Sequence, residues 1–276
     1  MSKGPGLFSD FGKKARDLLN KDYAADHKIT VSSSSDSGLD ITSNLFTKGG
    51  LSSGDVATRY KFKNGSLDVK FVTDSNILTT LRATDLPSST NVIASLKLPD
   101  FNSGKLEVQY FHEHAGISVA AGLNHSPAVD LSATIGTPTI AFGAESTYTT
   151  VSGNFAKYNA GVSYSTPDSN ASVILADKGD SIKASYLHHL DLLNKGVLGG
   201  EISRRFSTNE NTLTVGCSFL VDPQTVLKAK LDNHGSLGAL LQHEINRQSL
   251  LAISGAFDTK ALQKNPKFGF TLALKP

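Results

Sequence analysis

From about residue 26 onward the chain repeats one pattern: a stretch of about ten residues alternating apolar and polar, then Gly, Ser, Asn, Asp or Pro, then another such stretch. Leu213, Val215, Cys217, Phe219 and Val221 alternate with Thr212, Thr214, Gly216 and Ser218. Leu227, Ala229 and Leu231 alternate with Lys228, Lys230 and Asp232, and Phe268, Phe270, Leu272 and Leu274 with Lys267, Gly269, Thr271, Ala273 and Lys275. Successive side chains of a strand point to opposite faces, so each stretch reads as a strand with one apolar and one polar face.

Cutting at the turn signals yields about nineteen strands. The first falls at 27–35 and the last at 266–275, with 54–63, 76–86 and 103–113 among those between. Pro87, Pro99, Pro127, Pro138, Pro167, Pro223 and Pro266 fall in gaps or at a strand's first residue, where the missing N–H costs no ladder bond. Strands of this length match the ~9–11 residues that cross a bilayer and exceed the ~5–6 usual in globular sheets. No stretch approaches the ~18 consecutive apolar residues of a spanning helix. A closed barrel is the other structure that satisfies its own backbone in lipid. It turns one face to lipid and one to water, which reconciles membrane residence with a chain only 39% hydrophobic. The predicted fold class is all-β: a transmembrane β-barrel of about 19 strands over 26–276, with a helical segment at 1–25. On periodicity alone the competing reading is a soluble β-rich binding protein, a sandwich or β-helix.

The first 25 residues follow a different period. Phe8, Phe11, Ala15, Leu18 and Leu19 keep the spacing of one helix face, and Lys13, Lys14, Arg16, Asp17, Asn20 and Lys21 take the rest. Cleaved mitochondrial presequences are acid-poor, and Asp10, Asp17 and Asp22 argue against one. The expectation is an amphipathic helix resting on the inner wall, with a helix lying on the membrane surface as the alternative.

Several function classes drop out. Net charge is +2, from 27 basic and 25 acidic residues, too balanced to predict nucleic-acid binding. Cys217 is the single cysteine, so there is neither an intramolecular disulfide nor a cysteine zinc cluster. His112-Glu113-His114 would set two imidazoles on one face of a strand, but a defined zinc site takes at least three protein ligands. His188 and His189 fall on opposite faces. No nucleophile elbow, Walker A sequence or dinucleotide fingerprint follows a strand. No enzyme activity, metal or cofactor is expected.

The basic residues carry the functional reading. With the apolar faces on lipid, Arg59, Lys61, Lys63, Lys70, Arg82, Lys97, Lys105, Lys183, Lys228 and Lys230 project into the lumen. Asp40, Asp68, Glu107, Glu113, Glu145 and Asp232 share that surface, and Lys13, Arg16 and Lys21 of the helix add to the basic side. A surplus of fixed positive charge favours anions in a pore.

Gly12-Lys13-Lys14-Ala15-Arg16-Asp17-Leu18-Leu19, with Lys21 and Tyr23, resembles the N-terminal helix of eukaryotic mitochondrial porins, the voltage-dependent anion channels. Gly4-Pro5-Gly6-Leu7-Phe8 and Lys21-Asp22-Tyr23 are similar to the plant members in particular. Asp222-Pro223, Ala229-Lys230-Leu231-Asp232-Asn233 and Gly238 resemble the family's signature region, and the last strand resembles its sorting signal: polar Lys267, then Gly269, then Leu272 and Leu274. The family's barrel has nineteen strands, so the count above agrees with it without being independent of it. Two departures stand out: Asp22-Tyr23-Ala24-Ala25-Asp26 replaces the Gly-rich hinge of animal members, and no residue between Leu67 and Phe71 matches their lipid-facing glutamate.

The resemblance implies a voltage-gated, weakly anion-selective pore of the mitochondrial outer membrane, passing ATP, ADP, phosphate and small ions. The implied partners are the lipid bilayer, anionic metabolites as permeants, the outer-membrane assembly machinery and further copies of the chain in a homo-oligomer. A protein-import pore of the same barrel fold is the alternative within the class; an additional N-terminal segment would be expected of it.

Overall fold

The computed structural model describes residues 4–23, 26–84, 89–190, 196–260 and 266–275. A 3-10 turn, Phe8–Asp10, and one helix, α1 (Lys13–Asn20), precede the strands. These are β1 (His27–Ser34), β2 (Leu39–Lys48), β3 (Leu51–Phe62), β4 (Gly65–Val72), β5 (Asn76–Thr84), β6 (Thr90–Leu98) and β7 (Lys105–Phe111). Next come β8 (Ala115–Gly122), β9 (Ala128–Gly136), β10 (Ile140–Thr149), β11 (Asn154–Ser165), β12 (Ser169–Ala176) and β13 (Ser181–Leu190). The remainder are β14 (Gly196–Arg205), β15 (Glu210–Asp222), β16 (Thr225–Asp232), β17 (Ser236–Asn246), β18 (Ser249–Asp258) and β19 (Lys267–Leu274).

Each strand pairs antiparallel with the next, and β1 pairs with β19, so all 19 strands form one closed sheet. With an odd number, first and last run the same way and closure is parallel: His27 lies opposite Phe270 and Val31 opposite Leu274. Closure leaves no unpaired edge, the condition for a sheet in hydrocarbon.

The register carries the sequence alternation around the wall. Ile29, Leu45, Val56, Phe71, Leu81, Val119, Leu131, Phe142, Val173, Leu213, Leu227, Ile253 and Phe270 all stand on the outer face, each exposed although large and apolar. In water such a surface would drive aggregation. In a bilayer it is the lipid contact. The sequence has no Trp, and Tyr60, Tyr110 and Tyr164 stand on the outer face instead, near the ends of β3, β7 and β11. Odd-numbered strands all end at one rim, here the C-terminal rim, so these rings form an interfacial girdle there.

Expected strand boundaries match within a few residues, with informative exceptions. The 103–113 segment is shorter, because Phe101–Ser103 is a 3-10 turn held by its own polar side chains. Asp100 accepts from the Asn102 amide at 3.0 Å, and the Ser103 hydroxyl donates to the Lys97 carbonyl at 3.0 Å. β3 starts at Leu51, earlier than expected, since Gly49 and Gly50 both take positive φ and form the hairpin turn themselves. The end of the 76–86 segment, Pro87, and Ala24-Ala25 at the helix–barrel boundary lie outside the described residues.

The N-terminal helical face is interrupted. Gly12 adopts φ +66, breaking the 3-10 turn from α1. A Cβ there would meet the Ser172 and Ser185 hydroxyls at 2.8 Å, so the position needs glycine twice over, for its φ and for its space.

Candidate functional site

The N-terminal segment crosses the lumen against the wall, and its apolar residues fix it there. Phe8 and Phe11 pack on Ala141 with Ile174 beside them. Ala15 and Leu18 pack on Leu187 with Val197 beside them. Phe11, Ala15 and Leu19 are each 2% exposed. Two glycines make this fit: a Cβ at Gly199 would stand 2.8 Å from a Leu18 methyl, and one at Gly216 2.7 Å from a Leu19 methyl. At the C-terminal rim the Gly6 carbonyl accepts from the Thr134 hydroxyl at 2.5 Å. The polar face of the segment looks into the bore. Lys13 pairs with Asp10 at 3.4 Å, and the Arg16 guanidinium donates to the Phe11 carbonyl at 2.9 Å. Lys21 is exposed.

Away from the segment the bore is lined by charge. Register places Asp40, Asp55, Arg59, Lys61, Asp68, Lys70, Arg82 and Lys97 on the inner face of β2 to β6. Lys61 pairs with Asp40 at 2.7 Å and Lys70 with Asp55 at 3.2 Å, while Asp68 is shared between Arg59 and Arg82. Further round, Lys105 pairs with Asp130 at 3.2 Å and Lys157 with Glu145 at 3.3 Å. Lys97 and Lys183 are exposed on the inner face and form no ion pair among the described residues. Bases therefore outnumber acids on the arc from β3 to β6, the part of the wall farthest along the sheet from α1.

Lys228 and Lys230 also lie on the inner face, but residues 22 and 23 meet them there. Lys228 reaches Asp22 at 3.2 Å, and the Lys230 ammonium sits 4.5 Å from the centroid of the Tyr23 ring. Burial, with Cys217 as the smaller cause, pushes the Tyr23 phenol up to about 12.

Three sequence readings need correction. Lys63 lies in the β3–β4 turn and Glu113 in the β7–β8 turn, at the rim, because both hairpins close there. His112-Glu113-His114 is that second turn, so the two histidines share no strand face. Their ring centroids are 6.2 Å apart, and among the described residues no group of three or more His, Cys, Asp or Glu is placed to hold a metal. Sequence reasoning missed Asp55, which has the same parity as Arg59 and Lys61 and was findable. It also missed Thr134 and the contacts made by Asp22 and Tyr23, since their partners are remote and carry no local signal. On β19, Lys267 and Gly269 face inward and Leu272 and Leu274 outward, beside Ile29 and Val31 of β1.

Among the described residues no helix is long and apolar enough to cross a membrane, so the crossing is made by strands. Barrel diameter grows with strand number, and porins of ~16–18 strands already leave an aqueous channel. A closed barrel with an apolar outside and a charged, water-facing inside is a membrane channel. The chain belongs to the eukaryotic porin family, which it matches over residues 4–269. It is 56% identical to mitochondrial outer membrane protein porin 2 of Arabidopsis thaliana, with 100% of each chain covered. It is 54% identical to porin 5 of that name from Oryza sativa subsp. japonica, covering 99% of each. A relative in Pisum sativum, 46% identical with 100% of each covered, is named outer plastidial membrane protein porin. This chain is a porin of the mitochondrial outer membrane. Its family is one of channels, not of enzymes.

Proposed function

We propose that this porin is a voltage-gated, weakly anion-selective pore for small ions, phosphate and phosphate-bearing metabolites such as ATP and ADP. The observation that carries the reading is the basic surplus on the inner face of β3 to β6, where Arg59, Lys61, Lys70, Arg82 and Lys97 outnumber Asp55 and Asp68. Fixed positive charge lowers the energy of anions in the bore and raises that of cations. The preference is weak, because ions in a wide pore keep their hydration and salt screens over about 8 Å at physiological strength. The N-terminal segment, with charges of both signs inside the field, is the element that would respond to voltage. The same reading adds self-association and docking of β19 on the assembly machinery as partner interactions of the outer wall.

Purified protein in a planar bilayer under a salt gradient should show a reversal potential of anionic sign. Lys97→Glu, which alters a base free of ion pairs among the described residues, should move that potential toward cations with conductance kept. The displacement should shrink at high salt as screening shortens the reach of wall charge. A wild-type channel with no preference, or with cation preference, at low salt would refute the anion reading.

A further inference from the structure

Lys228 and Lys230 are among the bases that the sequence places in the lumen, yet their surroundings differ from those of the lysines paired along the wall. Lys61, Lys70 and Lys105 each pair with a carboxylate on the wall itself. Lys228 is flanked in register by Ser218 and Leu240, and Lys230 by Gly216 and Gly238, so neither has an acid opposite on a neighbouring strand. The hollow left by those two glycines is filled from the N-terminal segment and, at Gly238, by the Lys230 stem as well. Leu19 settles at Gly216, and the Tyr23 ring lies against Gly238.

The two lysines then close over consecutive residues of the turn after α1. Lys228 donates to Asp22 at 3.2 Å and is only 15% exposed, where Lys61 is 59% exposed. Lys230 covers the Tyr23 ring face, the geometry of a cation–π contact. The Tyr23 hydroxyl is buried without a hydrogen-bond partner among the described residues, so the ring is held by packing and by the ammonium above it. Asp22 has φ +73, a conformation that non-glycine residues enter only when their surroundings hold them there.

We infer that Lys228 and Lys230 are positioning residues: they clasp the Asp22-Tyr23 turn to β16 and keep the N-terminal segment clear of the open bore, rather than acting as charges that sort ions. The inference rests on the pore reading and assigns these two bases a different part in it from Lys97. Together with the Gly6–Thr134 bond, the clasp ties the segment at both ends.

The test uses the full-length protein in planar bilayers, comparing Lys228→Gln, Lys228→Arg, Lys97→Gln and the charge swap Asp22→Lys with Lys228→Asp. Lys228→Gln should raise open-state current noise several-fold, as the freed turn moves in and out of the bore. Its reversal potential should move less than that of Lys97→Gln. Lys228→Arg and the swap should restore a quiet open state. Zero-length carbodiimide coupling of the refolded wild type, read by peptide mass spectrometry, should join Asp22 to Lys228, with Asp40–Lys61 as the control pair. A quiet Lys228→Gln channel whose reversal potential shifts as far as that of Lys97→Gln would overturn the inference. So would coupling of the control pair with none at Asp22–Lys228. Failure of the anion reading shows separately, in the wild-type reversal potential, while noise and coupling still report on the clasp.

Discussion

A chain carrying Leu272→Gln and Leu274→Gln should not accumulate as an assembled barrel. Both side chains face outward on β19, the strand that closes the sheet against β1 through Leu272–Ile29 and Leu274–Val31. On the other side Leu272 stands opposite Leu251. A Gln amide in hydrocarbon without a partner costs roughly 2–7 kcal/mol, and there would be two of them on one strand. That is comparable to the whole ~5–15 kcal/mol by which a folded domain outweighs its unfolded chain. The parallel seam runs only from His27 to Val31 on β1, so it has few other pairs to compensate. The same residues lie in the stretch that resembles the sorting signal, so recognition by the assembly machinery should suffer as well. Carbonate extraction of mitochondria followed by protease treatment reads the outcome. Normal accumulation of a carbonate-resistant, protease-protected double variant would remove both the seam and the sorting arguments.

Removing residues 1–22 should leave a conducting pore whose voltage-dependent closure is altered. The wall is closed by strand pairing alone, so the barrel does not need the segment for its topology. The segment is nonetheless firmly placed. Burial of Phe8, Phe11, Leu18 and Leu19 contributes roughly 1.5–3 kcal/mol for each side chain, on the order of 10 kcal/mol in sum. Lys13, Lys14, Arg16 and Lys21 against Asp10, Asp17 and Asp22 leave a small net charge, and moving one charge through the full field yields only ~2.3 kcal/mol per 100 mV. A field of that size does not lift the apolar face off the wall. It competes on closer terms with the partly exposed Asp22–Lys228 pair, since ion pairs in contact with water contribute little. The truncated channel should carry a larger current, having lost the mass that fills part of its bore. Voltage ramps on single channels of both forms decide the matter: closure at unchanged voltage and steepness would show that the segment is no part of the gate.

Fold class, strand number and facing were legible because each rests on a local signal. Period-two alternation and a turn residue every ten or so positions can be read within a single hairpin. Leu227, Ala229 and Leu231 against Lys228 and Lys230 told which side of β16 meets lipid before any partner strand was known. Boundaries slipped where turn chemistry was richer than the pattern suggested, as at Asp100 and Ser103, whose side chains bond the backbone and shorten β7. The N-terminal apolar face was readable at helical spacing, but its break at Gly12 was not, because that glycine's conformation answers to Ser172 and Ser185 on the wall.

Sequence by itself therefore determined a barrel, its two faces, the amphipathic N-terminal segment and the basic surplus of the bore. Tertiary structure alone decided which basic residues are free to act on ions. Lys97 stands open on the inner wall, whereas Lys228 and Lys230 are engaged by Asp22 and Tyr23, about two hundred positions earlier in the chain. Alternation specifies the side of the sheet a residue faces. What waits on that side depends on how the closed wall folds round the segment inside it, a long-range arrangement that no window of neighbouring residues encodes.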